Sequence, residues 1–431
     1  MANDAALAVS GTIYPGLNVA GEPVGGLSIG EAERKLSAAL TKRKEKPLLI
    51  LQSGDKKWEV PWTVVAEQPE PSQLARQAFA AGRTGSLLQR LHAQFLLKNG
   101  GFSIQHDLSA NAEKLKAIAM TAAAAVDRAP VDASVTETAE GIRISGDKPG
   151  LKTDVAATVK NMQQAVATAF AGPVALVTSP VPARIATKDL QEITGLLSAF
   201  STTFNRSDEN RSRNIEIASQ ALSGVLVKPG EVFSFNDRVG LRTPENGYLH
   251  AMTLTSTGPV MDWGGGVCQV STTLYNAALL ADFNVVERST HFAPPAYVPL
   301  GQDATVADGQ IDLKMKNTRT FPAYIKSMID GDTLEVRIYG KVDKTSPTVR
   351  IESAERTVHV MQTIVKQDPT LPLGQEVVES PGSNGFNVTV YRVKLLGNRE
   401  ISREKISTDE FAGSDRIVRV GTRRVGDPVV K

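Results

Sequence analysis

Apolar positions switch between helix and strand spacing along the first 180 residues of the chain. Ser28 and Glu31 have the spacing of a capping box, and apolar residues then recur every three to four positions. Residues 48–51 and 58–62 instead have the apolar content and intervening turn of a hairpin. This pattern predicts an α+β region over residues 11–180.

A second strand-to-helix turn lies at 150–154, before a helix predicted over 155–170. It is similar to the turn at 26–28, which indicates a weak internal duplication. Two unrelated αβ pieces are the alternative explanation. Residues 180–182 read Pro-Val-Pro and predict a linker to the next region.

Residues 186–340 have the pattern of a second domain. Asp208 is placed to cap a helix that ends at Gly224. One hairpin is predicted from Val225 to Phe235, and another over residues 323–339. Further strands are predicted at 285–291, 304–306 and 311–315.

The only cysteine of the chain, Cys268, follows three glycines and opens a helical pattern. Glycines allow a tight turn, and the first turn of a helix gathers unpaired N–H groups and the positive end of the dipole. Both helix features favour a thiolate. Cys268 is therefore a candidate nucleophile. The alternative is a small buried hydrophobic residue, which is a common role of free cysteines.

Residues 347–423 favour a small all-β module, with high strand propensity around Val388 to Val393 and a turn at 396–398. The three regions together predict an α+β multidomain protein. Its N-terminal αβ region is weakly duplicated, its central domain has a helix followed by an antiparallel sheet, and its C-terminal module is all β.

The bulk composition narrows the function classes. Of the 431 residues 22% are charged, and the formal net charge of +2 lacks the basic stripe of a nucleic-acid-binding protein. The five histidines are scattered without ligand spacing, so no metal and no other cofactor is predicted. No apolar run could span a membrane, and residues 1–8 lack the regions of a signal peptide. We expect any membrane attachment to depend on an anchor absent from this sequence.

Ordered motifs between Asn210 and Asp312 resemble the VanW-like family. They are Asn210-Arg211-Ser212-Arg213-Asn214-Ile215, Pro229-Gly230-Glu231-Val232-Phe233-Ser234-Phe235-Asn236, Gly247-Tyr248, the stretch from Gly264 to Ala277, Glu287-Arg288, His291, Tyr297-Val298-Pro299-Leu300-Gly301, Asp303-Ala304-Thr305-Val306 and Asp312. Residues 11–180 resemble the peptidoglycan-binding region that often precedes such domains. Residues 347–423 resemble the G-five module and end in its typical Val-Arg-Val-Gly-Thr.

The resemblance implies a bacterial protein of the cell envelope, of the Gram-positive type. Such a protein is extracytoplasmic and is either anchored or secreted. The resemblance implies peptidoglycan or another cell-wall polymer as the partner, but it implies no settled activity. The chemistry is therefore argued from the residues.

Cys268, His291 and Asp303 follow one another in the order nucleophile, base and acid. A thiol amidase or acyltransferase needs these three groups within reach of one another. We predict that His291 takes the thiol proton and that Asp303, or alternatively Asp312, orients the imidazole. The order is similar to that of transglutaminase-like and papain-type folds. The backbone N–H of Cys268 and the side-chain amide of Gln269 are predicted to stabilise the oxyanion.

Each candidate also has a purely structural interpretation. His291 could be an ordinary strand residue, Asp303 could cap a turn, and Asp312 could form a salt bridge. The candidates for substrate binding are Arg211, Arg213, Arg288 and Tyr297. The arginines could bind a carboxylate or form structural pairs with neighbouring glutamates.

The compartment suggests the substrate. The amides available in a cell envelope are those of peptidoglycan stem peptides and their crosslinks, so we predict thiol-dependent hydrolysis or transfer of such an amide. Flanking modules would raise the local concentration of the polymer. The alternative is a non-catalytic wall-binding or scaffold protein, accessory to glycopeptide resistance or wall maintenance. An enzyme that cleaves other proteins is a third, less favoured hypothesis.

Overall fold

A computed structural model of the chain describes residues 11–65, 70–99, 102–104, 108–168, 172–255, 258–343 and 345–424. The described residues form two compact units. The first unit extends to Val131 and resumes from Lys148 to Ala183. The second comprises Asp132–Asp147 and the described residues from Arg184 onward. Residues 132–147 thus pack with the second unit although they lie within the predicted 11–180 region.

Helices and short strands alternate over residues 11–183. The helices are α1 (Ile29–Lys44), α2 (Pro71–Ala80), α3 (Leu87–Asn99), α4 (Ala112–Val126) and α5 (Val155–Ala167). The strands are β1 (Leu17–Val19), β2 (Glu22–Pro23), β3 (Leu49–Ser53), β4 (Lys56–Val60), β5 (Phe102–Ile104), β6 (Ser134–Thr138), β7 (Gly141–Ser145), β8 (Gly150–Thr153), β9 (Val174–Ala175) and β10 (Thr178–Val181).

Local signals determine how helix α1 and the first hairpin form. Ser28 accepts a hydrogen bond from the N–H of Glu31, and the Glu31 carboxylate accepts one from the N–H of Ser28, which confirms the capping box. Strands β3 and β4 form the predicted hairpin, and β3 also pairs in parallel with β9. Helix α5 ends before the predicted Phe170, which lies outside the described residues.

The predicted linker at Pro180 is a strand. In β10, Pro180 lies opposite Leu151 of β8 in an antiparallel pair. Each strand of this two-stranded sheet has a free edge, so a proline that lacks an N–H donor is tolerated there. The prediction of a linker was therefore wrong at this position.

The central part of the second unit places one long helix against a sheet. The helices are α6 (Glu209–Leu222), α7 (Phe235–Val239) and α8 (Val267–Leu280). The strands are β11 (Gly195–Thr203), β12 (Val225–Val227), β13 (Val232–Ser234), β14 (His250–Thr255), β15 (Gly258–Trp263), β16 (Asn284–Glu287), β17 (Lys314–Lys316), β18 (Ala323–Asp330) and β19 (Thr333–Gly340).

Helix α8 lies in the middle of the largest core. Strands β11, β19, β18 and β12 form a four-stranded antiparallel sheet in that order, and α8 packs against β11 and β19. Nearly every side chain of α8 is buried, including Leu274, Tyr275 and Leu279. The predicted Asp208 cap of α6 and the β18–β19 hairpin are both confirmed.

The predicted hairpin from Val225 to Phe235 does not form. Strand β12 pairs with β18, whereas β13 pairs with β17 in the separate sheet β13-β17-β16. Asn317 explains why the two strands join different sheets. Its side-chain amide donates to the carbonyl of Val227 at 3.0 Å, and its backbone carbonyl accepts from the N–H of Gly230 at 2.8 Å. These bonds occupy the corner at which a hairpin ladder would close.

The strands predicted at 285–291, 304–306 and 311–315 are shorter than expected. Regular pairing ends at Glu287 in β16 and is confined to 314–316 in β17. Ser289 forms only an isolated bridge with Thr305. His291 therefore lies in a loop, where its N–H donates to a carboxylate instead of a neighbouring strand.

The C-terminal part of the second unit is all β over its described residues. Its strands are β20 (Thr348–His359), β21 (Thr363–Pro372), β22 (Glu376–Ser380), β23 (Gly385–Leu396), β24 (Arg399–Phe411) and β25 (Arg416–Arg423), arranged as sheets β20-β23-β24 and β21-β25-β22. The predicted turn at 396–398 joins β23 to β24. The fold is thus mixed α+β with a small β-rich C-terminal region, as predicted. Within the described ranges, no helix combines the length and apolar character needed to cross a membrane.

Candidate functional site

The three glycines before Cys268 are each required by the turn that they form. Gly264 and Gly266 have φ angles of +76° and +108°, in the region that favours glycine. A Cβ on Gly265 would lie 2.6 Å from the carbonyl oxygen of Ala251, so no side chain fits there. The turn therefore fixes the start of α8 and, with it, the position of the thiol.

Asn214 of α6 ties this glycine turn to the β14–β15 hairpin. Its Nδ2 donates to the carbonyls of Gly265 at 3.0 Å and Leu249 at 2.9 Å, and its Oδ1 accepts from the N–H of Leu249 at 2.8 Å. Asn214 is fully buried, so these bonds are shielded from water. Asn214 consequently connects Gly265 of the glycine turn to Leu249, the residue before β14.

The Cys268 thiol is half-buried in the first turn of α8 and borders an open cleft. Its Sγ lies 3.4 Å from the hydroxyl of Thr305 and 3.5 Å from both the N–H and the carbonyl of Val306. Within the described part of the chain, the backbone N–H of Cys268 makes no hydrogen bond. That N–H is a free donor beside the sulfur.

His291 is oriented by a single carboxylate. Oδ2 of Asp303 lies 2.7 Å from the ring nitrogen Nδ1 of His291 and also accepts the backbone N–H of His291 at 2.7 Å. With Nδ1 occupied, Nε2 is the ring nitrogen left for the thiol. The pair is almost completely buried, so its geometry is protected from solvent.

The thiol and the imidazole shift each other's pKa toward an ion pair. Burial on its own raises the pKa of a thiol. Hydrogen bonding and charge from His291, together with hydrogen bonds from Thr305 and Val306, outweigh it and lower the pKa of Cys268 to about 7. Burial likewise disfavours the charged imidazole, but Asp303 and the thiolate outweigh it and raise the pKa of His291 to about 9. Between these values the thiolate–imidazolium pair is the favoured state.

A polar face of helix α8 holds the chain segment that carries Asp303. Ser271 donates to the carbonyl of Ala304 at 2.6 Å, and the N–H of Ala304 donates to Thr272 at 3.0 Å. Asn276 donates to the carbonyl of Gln302 at 2.7 Å. The helix that presents the thiol therefore also positions the acid.

Arg288 is a partner of Asp303 and is not exposed to the cleft. Its Nη2 donates to Oδ1 of Asp303 at 3.2 Å, and its Nε donates to the Asp303 carbonyl at 2.7 Å. Burial opposes ionisation of Asp303, but the bonds from His291 and the charge of Arg288 hold the pKa of that carboxyl below its usual range. Arg288 thus pairs with the acid of the site, whereas the structural alternative predicts a pair with a neighbouring glutamate.

The cleft beside the thiol has a volume of about 370 Å³. It is lined by charged, aromatic and small residues, which include Arg211, Arg242, Trp263, Cys268, His291 and Tyr297. The hydroxyl of Thr253, on the hairpin strand β14, also faces this cleft and is buried without a hydrogen-bond partner among the described residues. The site therefore has both cationic groups and an unused polar group for a ligand.

Gln269 is placed differently from the predicted oxyanion donor. Its Nε2 donates to the Thr202 hydroxyl at 3.0 Å and to the Thr203 carbonyl at 2.8 Å, which uses both of its N–H groups. Its Oε1 accepts from Nη2 of Arg211 at 3.0 Å. The geometry therefore does not support the oxyanion role and instead makes Gln269 a support for Arg211.

Two further predicted residues lie away from the reacting groups. Arg213 is exposed, pairs loosely with Glu216 and does not line the cleft. Asp312 accepts hydrogen bonds from Ser234 at 2.6 Å and from the N–H of Asn236 at 2.9 Å. Asp312 is therefore not the acid beside the histidine, and the alternative assignment is wrong.

Tyr297 lines the cleft near the thiol. This position is compatible with the substrate-binding role predicted for it. Burial, followed by the negative charge of Cys268, raises the pKa of the Tyr297 phenol above its usual range. A hydrogen bond with Thr272 and the positive charge of Arg211 act in the opposite direction. The phenol therefore stays protonated and can act as a hydrogen-bond donor.

Sequence reasoning missed two groups of cleft residues. Arg242 is buried and forms an ion pair with Asp308, which holds a second guanidinium in the cleft. The ring of Trp263 contacts that of His250 across the β14–β15 hairpin, with centroids 3.8 Å apart and planes tilted by 49°. Only the position of Trp263 directly before the glycine turn could have indicated its place.

Among the described residues, no group of three or more ligating side chains could hold a metal ion.

The chain matches three family models in the predicted order. Residues 66–171 match "Putative peptidoglycan binding domain", residues 210–339 match "VanW like protein", and residues 350–423 match "G5 domain". The resemblance stated from the motifs is thereby confirmed. The three matches support a cell-wall-associated protein.

Two curated relatives align with about a third of the chain. The uncharacterized protein YoaR of Bacillus subtilis (strain 168) is 38% identical over 143 residues, which are 33% of this chain and 47% of YoaR. The vancomycin B-type resistance protein VanW of Enterococcus faecalis (strain ATCC 700802 / V583) is 34% identical over 136 residues, which are 30% of this chain and 50% of VanW. The chain thus spans about half the length of these relatives.

Solved structures of G5 domains align with part of the chain. The G5 domain of an IgA1 protease has 32% sequence identity and a TM-score of 0.16. The alignment covers 20% of this chain and 99% of that domain.

Proposed function

We propose that this protein is a thiol-dependent enzyme that cleaves or transfers amide bonds of peptidoglycan stem peptides outside the cytoplasm. The observation that carries the proposal is the convergence of Cys268, His291 and Asp303 at the edge of an open cleft. Nucleophile, base and acid come from a helix start and two loops, and the acid contacts the base at 2.7 Å. Their chain order is that of transglutaminase-like and papain-type enzymes, which we extend to the central domain as part of the proposal.

The first step forms a thioester. The Sγ of the Cys268 thiolate attacks the amide carbonyl carbon, and the C–N bond of the resulting tetrahedral intermediate then breaks. The His291 imidazolium gives its proton to the departing amine, which leaves neutral while the imidazole becomes neutral. Asp303 stabilises the imidazolium before the transfer and keeps Nε2 directed at the leaving group.

The second step releases the acyl group. Neutral His291 removes a proton from water, whose oxygen attacks the thioester carbonyl, and the C–S bond breaks to regenerate the thiolate. An incoming amine in place of water gives transfer instead of hydrolysis, with the same proton movements. The starting ion pair is restored in either case.

Two donors are placed to stabilise the oxyanion of both steps. The backbone N–H of Cys268 has no partner among the described residues, and it lies in the first turn of α8, at the positive end of the helix dipole. The protonated phenol of Tyr297 lines the same cleft. We assign the oxyanion to these two groups in place of the predicted Gln269.

One arginine of the cleft favours an acyl donor that carries a carboxylate, although Asp262 and Asp308 also line the cleft. The guanidinium of Arg211 is bonded to the neutral Gln269 amide and has no carboxylate partner among the described residues, unlike that of Arg242, which is paired with Asp308. A free carboxylate of a stem peptide could bind Arg211 without displacing an ion pair. This unpaired cation is why we favour stem peptides over the uncharged glycan strands as the reacting partner.

The decisive test is turnover by purified protein. Wild type and Cys268→Ala are incubated with soluble stem-peptide muropeptides, and products are resolved by liquid chromatography and mass spectrometry. We expect wild type to release an amine fragment or a transfer product, and acid-quenched samples to carry the acyl mass on Cys268. Equal muropeptide profiles for wild type and Cys268→Ala would rule out catalysis.

A wall-binding protein without catalysis is the second candidate. It is favoured by the matches of two flanking regions to "Putative peptidoglycan binding domain" and "G5 domain". Cosedimentation with purified cell walls separates the two functions. Equal retention of wild type and Cys268→Ala on walls, with no turnover by either, would establish binding alone.

A further inference from the structure

We propose that the C-terminal β module completes the candidate site, with Asp409 of β24 as a positioning residue that acts on His291 through Arg288 and Asp303. The inference rests on the proposed function, because it concerns how the same histidine is held. It adds a residue from outside the region matched to the VanW-like model, which ends at 339. Asp409 instead lies in the region matched to the G5 domain.

A continuous chain of charged contacts joins the module to the histidine. Oδ1 of Asp409 accepts from Nη1 of Arg288 at 2.6 Å. Nη2 of the same guanidinium reaches Oδ1 of Asp303 at 3.2 Å, and Oδ2 of Asp303 reaches Nδ1 of His291 at 2.7 Å. Arg288 therefore binds both acids at once, one from each region.

All four side chains are buried. The side chains of Asp409, Arg288, Asp303 and His291 are 7%, 6%, 1% and 6% exposed, so solvent screens their interactions only weakly. Removal of one partner of a buried ion pair leaves the charge of the other partner uncompensated, which destabilises the folded protein. Changes at Asp409 should consequently be felt at Asp303.

The direction of the effect follows from the charges. With Asp409 present, the positive charge of Arg288 is shared between two carboxylates. Without that charge, Arg288 acts on Asp303 alone and offsets more of the negative field that stabilises the His291 imidazolium. The imidazolium then loses its proton at a lower pH, so the pH range of the thiolate–imidazolium pair narrows at its upper end.

Asp409 is held rigidly enough for this role. Its Oδ2 accepts from the Ser407 hydroxyl at 2.9 Å. Gly301, whose carbonyl also accepts from Arg288, packs so closely on Val388 and Val390 of β23 that a Cβ would lie 2.8 and 2.7 Å from their methyl groups. The module and the loop that carries the acid are therefore in direct backbone-to-side-chain contact.

The module also has anchors that do not involve the acid. Arg392 of β23 donates to the carbonyl of Phe283 at 2.6 Å, and Lys394 forms an ion pair with Asp282 at 2.8 Å. These bonds reach the turn after α8, at the opposite end of that helix from Cys268. The ring of Tyr275 on α8 supports Arg288, with the guanidinium 5.4 Å from its centroid. The contacts that attach the module to the turn after α8 can therefore be disrupted separately from the contact between Asp409 and Arg288.

The test compares Asp409→Asn with Lys394→Met in the full chain. The readout is the pH titration of the His291 imidazole followed by NMR, with its signal assigned from its loss in His291→Ala. Asparagine keeps the shape of Asp409 and removes its charge. We expect the midpoint of the His291 titration in Asp409→Asn to move to lower pH, by about 0.5 pH unit or more. Lys394→Met, which breaks a docking pair alone, should keep the wild-type profile.

A third variant keeps the test valid if Asp409→Asn folds poorly. Asp409→Asn with Arg288→Met removes both charges of the pair, and such neutral replacements of buried pairs are often tolerated. We expect its profile to return toward that of wild type. A folded Asp409→Asn variant with the wild-type titration midpoint, or a double variant with a midpoint as low as that of the single one, would overturn the inference.

The outcome is separable from that of the proposed function. The titration of His291 is measured without any substrate, whereas turnover requires one. A shifted profile in Asp409→Asn together with no muropeptide turnover in wild type would support the positioning role and refute catalysis. Turnover that depends on Cys268, together with an unshifted Asp409→Asn profile, would do the reverse.

Discussion

Replacement of His291 by alanine should abolish the unusual reactivity of the thiol. Hydrogen bonding and charge from His291 offset burial and lower the pKa of Cys268 to about 7. An ordinary thiol has a pKa of about 8.5, so the difference is roughly 2 kcal/mol of preferential stabilisation of the thiolate. In His291→Ala the remaining environment of the sulfur is dominated by burial, which disfavours the charge.

The size of the effect can be estimated at pH 6. A pKa of about 7 leaves roughly one tenth of the thiol ionised, against about 0.3% for an ordinary cysteine, which is a difference of about 30-fold. A less acidic thiolate is intrinsically about fivefold more nucleophilic, which recovers part of the loss. We therefore expect alkylation of His291→Ala at pH 6 to be at least about sixfold slower than that of wild type.

Iodoacetamide is suited to this measurement because it is small and uncharged and Cys268 borders a cleft of about 370 Å³. Rates are followed by mass spectrometry of the intact protein, which has a single cysteine. The wild-type rate should rise through pH 7 and reach a plateau above about pH 8, whereas that of His291→Ala should still be rising at pH 9.

The matched control is His250→Asn. The ring of His250 contacts that of Trp263 beside the cleft, but His250 is not one of the residues that line the cleft. Its replacement should leave the pH profile unchanged. A wild-type rate that keeps rising through pH 9, as for an ordinary thiol, or equal rates at pH 6 for wild type and His291→Ala would refute the ion-pair argument.

Three further predictions test the turn, the cleft and the N-terminal helix. Gly266→Ala should destabilise the protein by about 1–3 kcal/mol in urea unfolding, because its φ is +108° and the new Cβ would lie 3.0 Å from neighbouring side chains. Gly230→Ala, with positive φ but open space, should cost less, and equal losses would contradict the crowding. Arg211→Met in the Cys268→Ala background should weaken stem-peptide binding about tenfold or more by calorimetry, whereas Arg213→Met on the same helix should not. Ser28→Ala should cost about 1 kcal/mol of unfolding free energy through loss of the capping box, and a cost no larger than that of the mid-helix Ser37→Ala would argue against it.

Features encoded by neighbouring residues were predictable from the sequence. The capping box at Ser28, the Asp208 cap and the start of a helix at Cys268 depend on residues within one turn of the chain. The β18–β19 hairpin depends on two residues at its turn. In each case the local pattern and the tertiary structure favour the same conformation, so no long-range information was needed.

Features that depend on distant partners were not predictable. The Val225–Val227 strand has a hairpin-like turn after it, but Asn317, 90 residues later, binds the corner and sends the two strands to different sheets. The sequence predicts an oxyanion role for the amide of Gln269, but Thr202 and Thr203, 66 or more residues away, accept both of its N–H groups. A polar side chain beside a nucleophile is therefore ambiguous until its partners are known.

The choice between Asp303 and Asp312 shows how tertiary contacts decide a site. Both acids are buried and both follow the histidine, so residue type and order could not separate them. Asp312 is surrounded by donors that already satisfy it, namely the Ser234 hydroxyl and the N–H groups of Asn236 and Leu313. Asp303 instead accepts both the ring and the backbone N–H of His291, which binds the histidine at two points and fixes its tautomer. An acid with that two-point contact can orient a base, whereas an acid saturated by backbone and hydroxyl donors can only hold a turn.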